Sequence, residues 1–164
     1  MQSESARMSS RAEARFRIQD PNSRPRATKA IALDAASEAI VGRLAARAPS
    51  YWQSATFLTA AAFPAAARDF SGQPKELTKE AATADLVVMV ASPGGEAHAA
   101  STIGEACSAK RVMTTGLVVG ANPASAPSED AVSRTLAQLR PWSLMLVIAD
   151  PDDYIDGMLT ALRA

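Results

Sequence analysis

The sequence predicts an α/β fold: a three-layer Rossmann-like sandwich around a five-stranded, mainly parallel sheet. Three observations carry this. From about residue 28, short aliphatic runs alternate with alanine-rich segments of helical spacing, the pattern of successive βαβ units. Residues 86–90 and 144–148 are apolar at every position, as strands covered by helices on both faces are. Alanine supplies 36 of 164 residues and aromatics only eight, so the core is made by helices packing closely on the sheet rather than by bulky side chains.

The elements follow in order. The first strand is expected over residues 28–33, although Ile31, Leu33 and Ile40 also fit one face of a longer helix starting near Lys29. A helix over 35–48 leads to a strand at 55–59, and a helix over 75–84 leads to the apolar strand at 85–91. Helix 96–109 ends in Lys110 and Arg111, basic groups that suit the negative end of its dipole, before a strand at 112–119. Ser128 with Glu129 and Asp130 reads as an N-cap and acidic first turn for helix 129–139. After the strand at 144–149, Asp150 followed by Pro151 caps a last helix over 152–163.

The formal net charge is zero, with 17 basic and 17 acidic residues. Residues 1–30 nevertheless carry seven bases and three acids, a charge of +4, which leaves −4 on the remainder. Residues 1–26 are expected to form a disordered basic tail, with Met8 as an alternative start, and residues 27–164 a single α/β domain. The bases of the tail are scattered among acids and serines, a pattern that does not favour nucleic acid. No apolar run approaches the ~20 residues that cross a membrane, and no N-terminal stretch has the form of a secretory signal. The single cysteine, Cys107, excludes an internal disulfide and fits a reducing, cytoplasmic setting.

In open parallel sheets, ligands bind beyond the carboxyl ends of the strands. That edge should gather Asp34 and Ser37, residues 60–73, the turn Ser92-Pro93-Gly94-Gly95, residues 120–128, and Asp150 to Asp153. The candidate ligand-binding residues are therefore Asp34, Ser92, Gly94, Gly95, Gly120 and Asn122. Two glycines between a strand and a helix can turn backbone N–H groups toward an anion, whereas Glu96, expected in the first turn of that helix, would repel one. Asp34, Asp150, Asp152 and Asp153 could hold Mg²⁺ through oxygen ligands, but helix capping accounts for three of the four. No metal site is assigned and the cofactor is unknown.

Thr83-Ala84-Asp85, the apolar strand and Gly94-Gly95, continuing to Met113-Thr114-Thr115-Gly116-Leu117-Val118-Val119, resemble the nucleotide-binding core of the tubulin and FtsZ family. The resemblance covers residues 83–119. It implies a nucleotide-like ligand at the strand ends, with the family's long phosphate loop reduced here to Gly94 and Gly95. Asp150-Pro151-Asp152 also resembles the metal-binding Asp-x-Asp of Toprim nucleases, without an upstream glutamate to complete it.

No catalytic residue is assigned. His98 and Cys107 lie nine positions apart on one helix, on nearly opposite faces, and so cannot pair. Ser92 lacks the Gly-x-Ser-x-Gly elbow. Residues 60–73, with Phe63, Pro64 and Phe70, are unusually apolar for a connection and suit a lid, a dimer contact or a loop packed on the sheet edge. Tyr51, Trp52 and Trp142 precede strands and belong to the opposite edge. The sequence thus favours a non-catalytic domain that binds a small nucleotide-like or anionic ligand. The alternatives are a small hydrolase or transferase acting at residues 92–95 with Asp34 or Asp150 as acid or base, and a homo-oligomeric assembly subunit using the surface around Phe63 and Phe70. The expected partners are a small molecule and a second copy of the chain, not a membrane.

Overall fold

The computed structural model describes residues 25–50, 52–120, 128–149 and 153–161. Residues 1–24 of the basic tail, Tyr51, Asn122, Asp150, Pro151 and Asp152 lie outside the described residues. The chain is α/β, with β1 (Thr28–Ala32), α1 (Ala35–Arg47), β2 (Ala55–Thr59), β3 (Ala67–Asp69), β4 (Pro74–Lys75), α2 (Leu77–Ala82) and β5 (Leu86–Ala91). There follow α3 (Ala99–Lys110), β6 (Met113–Val119), α4 (Glu129–Leu139), a 3₁₀ turn (Arg140–Trp142), β7 (Met145–Ala149) and α5 (Asp153–Ala161). No helix among the described residues is long and apolar enough to cross a membrane.

Among the described residues the sheet has seven strands, in the order β4-β3-β2-β1-β5-β6-β7. The five expected strands are all present and pair in parallel. The expected five-stranded sheet is corrected by β3 and β4, which add antiparallel to the β2 edge. They arise within residues 60–75, read from sequence as a connection and the start of a helix; Lys75 stands in β4 and α2 begins only at Leu77. The turn between them is made by Asp69, whose Oδ1 accepts from Ser71 N (3.0 Å), Ser71 Oγ (2.7 Å) and Gln73 N (2.9 Å). The Ser71 hydroxyl, followed by the Gln73 amide, holds this carboxyl below its ordinary range. Gly72, at φ 87°, completes the reversal.

Helices cover both faces. Ile40, Val41 and Leu44 of α1 and Ile155 and Leu159 of α5 pack on Ala30, Ala32, Val88, Val90, Leu117 and Val119. Leu77 and Ala81 of α2, Ile103 and Cys107 of α3 and Leu139 of α4 pack on Ile31, Leu58, Val87, Met89 and Val118. The alternation of β1 and β5 between two apolar layers removes the alternative of a long helix from Lys29. Lys29 itself, almost buried, reaches α2, where Nζ lies 2.5 Å from Glu80 Oε2 and 2.9 Å from Thr83 Oγ1.

Small residues place α3 against the sheet. Ala99 and Ala100 are fully buried, and a Cβ on Gly104 would lie 2.6 Å from Trp142 Cε3 and 2.7 Å from Trp142 Cβ. Trp142 Cβ is fixed to the backbone, so the helix itself would have to shift. Gly104→Ala is therefore expected to destabilise the fold by about 1–3 kcal/mol despite the better helix propensity of alanine, measured as a lowered urea midpoint. Trp52 is 4% exposed in the other layer, with Nε1 3.2 Å from Thr160 Oγ1. Both tryptophans thus serve packing.

Candidate functional site at the β1 and β5 strand ends

β1 stands between β2 and β5, so the chain runs outward to one side of β1 through α1 and to the other through α2. The ends of β1 and β5 therefore diverge into loops covered by opposite helix layers, the crevice that ligands use in sheets of this kind. Leu33 N still bonds Val90 O (2.9 Å), which keeps the two strands in register up to the point where they separate.

Asp34 ends β1 and caps α1. Its Oδ1 accepts from Ser37 N (2.9 Å), and Ser37 Oγ lies 3.2 Å from Asp34 N, a reciprocal cap. The same carboxylate crosses the crevice. Ser92 N donates to Oδ2 (2.7 Å) and Ser92 Oγ donates to Oδ1 (2.7 Å). Asp34 and Ser92 are each 8% exposed, so one buried carboxylate ties the end of β1 to the end of β5.

The glycine turn follows at once. Gly94 has φ 78°, a left-handed conformation that favours glycine. Gly95 lies against the carboxylate, where a Cβ would come within 2.4 Å of Asp34 Oδ2. Both N–H groups are used internally: Gly94 N donates to Thr135 Oγ1 (2.9 Å) and Ala131 O (3.2 Å), and Gly95 N to Ser92 O (3.0 Å). The expected anion cradle is thus corrected, because these amides are already spent on α4 and on the turn.

Thr135 is the residue that sequence reasoning passed over. It is fully buried and donates toward Ser92 O (3.2 Å) while accepting from Gly94 N. Val132, Thr135, Leu136 and Leu139 follow helical spacing, so a hydroxyl on an otherwise apolar stripe was the available signal. Gln138 adds a second contact from α4, its Oε1 accepting from Ala97 N at 2.7 Å.

Glu96 is also corrected. α3 begins at Ala99 with His98 as N-cap and has no acid in its first turn. Glu96 precedes the helix and points outward, 3.1 Å from His98 Nε2. The positive end of α3 is therefore unopposed by a carboxylate within the helix.

Gly120 belongs elsewhere on this edge, where its N–H bonds Ala149 O (3.1 Å) and prolongs the β6–β7 ladder. Asp34, Ser92, Gly94 and Gly95 come together; Gly120 does not join them, and Asn122 lies outside the described residues. Among the described residues, no three His, Cys, Asp or Glu side chains group as a metal site. Phe63 and Phe70 do not share a surface: Phe63 packs on the α2 and α3 layer, and Phe70 lies beside Gly42 of α1.

His98 is exposed, while Cys107 is 1% exposed, its thiol pushed up to about 11 by burial. The thiolate fraction at pH 8 should be about a hundredfold below that of an ordinary cysteine. Cys107 is expected to react with a disulfide reagent at least that much more slowly in the folded chain than in urea, followed as absorbance of the released thiol.

No protein-family model and no curated protein matches the chain.

Proposed function

We propose that the chain is a Rossmann-like domain that binds a small anionic or nucleotide-like ligand over the crevice between β1 and β5, in a reducing compartment such as the cytoplasm. The observation that carries this reading is the crossover at β1, with Asp34, Ser92, Gly94 and Gly95 gathered where the strands part. The ligand lies on the Asp34–Ser92 floor, which already has its own donors and acceptors matched. Its negative charge faces the N-terminus of α3, with His98 beside it, rather than the amides of Gly94 and Gly95. This reading agrees with the nucleotide-like ligand implied by the tubulin and FtsZ resemblance and replaces the phosphate loop with a helix end.

Thermal unfolding of the full chain with inorganic phosphate, pyrophosphate, AMP, ADP and GDP, each with and without Mg²⁺, tests it. A ligand at a hundred times its Kd adds about 2.7 kcal/mol, a rise of roughly 5–10 °C for a domain of this size. No rise with any of them overturns the reading. A second reading, group transfer or hydrolysis, rests on the hydroxyl of Ser92 being hydrogen-bonded to a carboxylate. It requires turnover that Ser92→Ala abolishes while the thermal shift persists.

A further inference from the structure

The two edges of the sheet are built differently. β4, at one end, is two residues long and consists of Pro74 and Lys75, the short, proline- and lysine-bearing edge that blocks further pairing. β7, at the other end, has five residues, Met145-Leu146-Val147-Ile148-Ala149, with no charge, proline or glycine. Among the described residues it pairs with β6 alone, which leaves one side of its backbone without a described partner. Met145 is 51% exposed and Ile148 59%, and the flanking Leu144 is 76% exposed.

The helices that would cover β7 are drawn inward. α5 leaves β7 and packs beside α1, where Asp156 Oδ1 lies 3.6 Å from Arg47 Nη2 and Thr160 meets Trp52. α4 gives Thr135 and Gln138 to the turn after β5. Leu146 packs with the α2, α3 and α4 layer and Val147 with the α1 and α5 layer. By alternation, Ile148 is left bare on the first face and Met145 on the second.

We infer that β7 is the interface for a second copy of this chain, the two β7 strands pairing antiparallel about a twofold axis. With Val147 on the axis, Met145 lies opposite the small Ala149 of the second copy and Leu146 opposite its Ile148. Directly opposed residues of an antiparallel pair share a face, so each exposed side chain meets an apolar one, and one continuous sheet runs through both copies. The charge pattern selects this occupant over the chain's own N-terminal segment. Residues 1–24 contain no charge-free run longer than three residues, so every five-residue part of them would set at least one charge against the five uncharged positions of β7.

Light scattering behind size exclusion and sedimentation equilibrium of the full chain, from about 1 to 100 μM, test the inference. The wild type is expected at twice its 17.1 kDa mass. Ile148→Lys and Met145→Lys, each at an exposed position, are expected to weaken dimerisation on the order of a hundredfold with unchanged far-ultraviolet circular dichroism. A monomeric wild type across this range overturns the inference, as does a dimer that persists in both well-folded lysine variants, which would place the interface on another face.

Discussion

Asp34→Ala is expected to destabilise the domain by about 3–5 kcal/mol, read as a fall in the urea midpoint at pH 7 with an unchanged slope. The carboxylate receives three hydrogen bonds, from Ser37 N, Ser92 N and Ser92 Oγ. Bonds to a charged acceptor are worth about 1.5–3 kcal/mol each in such comparisons, and they are not independent here. Removing the acceptor leaves two buried amides without partners and uncaps α1, which alone costs about 1 kcal/mol. Asp34→Asn is expected to lose roughly half as much. Its carbonyl can replace one oxygen, but its NH₂ then faces the donor of Ser92 N or Oγ. A loss below about 1 kcal/mol for the alanine variant would mean that the carboxylate does not bridge β1 to β5. The effect should appear whether or not a ligand is present, because the bridge is internal to the chain.

The fold was legible where chemistry repeats along the chain. The five parallel strands follow from aliphatic runs between helical segments, since a strand buried on both faces has no polar positions to disguise it. β3 and β4 escape that logic: Ala67-Arg68-Asp69 and Pro74-Lys75 are too short and too polar to show a period. They exist because Asp69 organises the turn between them through three hydrogen bonds. Asp-x-Ser-Gly-Gln was the local signal. α3 starts three residues beyond the expected Glu96, because the chain first makes a left-handed turn at Gly94 and His98 is the N-cap.

The site was legible in membership but not in arrangement. Asp34, Ser92 and Gly95 each stand just beyond a strand, which is enough to send them to one edge. That Asp34 should meet Ser92, and not a residue of β2, depends on which strand lies beside β1 after the crossover. A strand order is fixed by the packing of whole layers, not by the residues at a strand end. Thr135 was hidden for the same reason, since its partners Ser92 and Gly94 are 43 and 41 positions away.

Gly95→Ala separates the carboxylate bridge from the glycine turn. Gly95 has no left-handed φ to protect, so the effect of a methyl group there is steric alone. The new Cβ would stand 2.4 Å from Asp34 Oδ2, 2.7 Å from Asp34 Cγ and 2.9 Å from Ser92 Oγ. The first two atoms are held by the α1 cap and by Ser92 N, so they cannot swing away without breaking those bonds. Overpacking of this kind costs about 1–3 kcal/mol, and partial loss of the bridge places Gly95→Ala at or above the upper end. In the Asp34→Ala background both crowded atoms are gone and only the Ser92 hydroxyl remains, which can rotate. The same methyl group is then expected to cost less than about 1 kcal/mol. The double-mutant cycle should therefore show the two substitutions to be less than additive by about 2 kcal/mol or more, as contacting residues are. Strict additivity in urea unfolding would show that the carboxylate and Gly95 do not touch, and that the turn is set by Gly94 and α4 without the bridge.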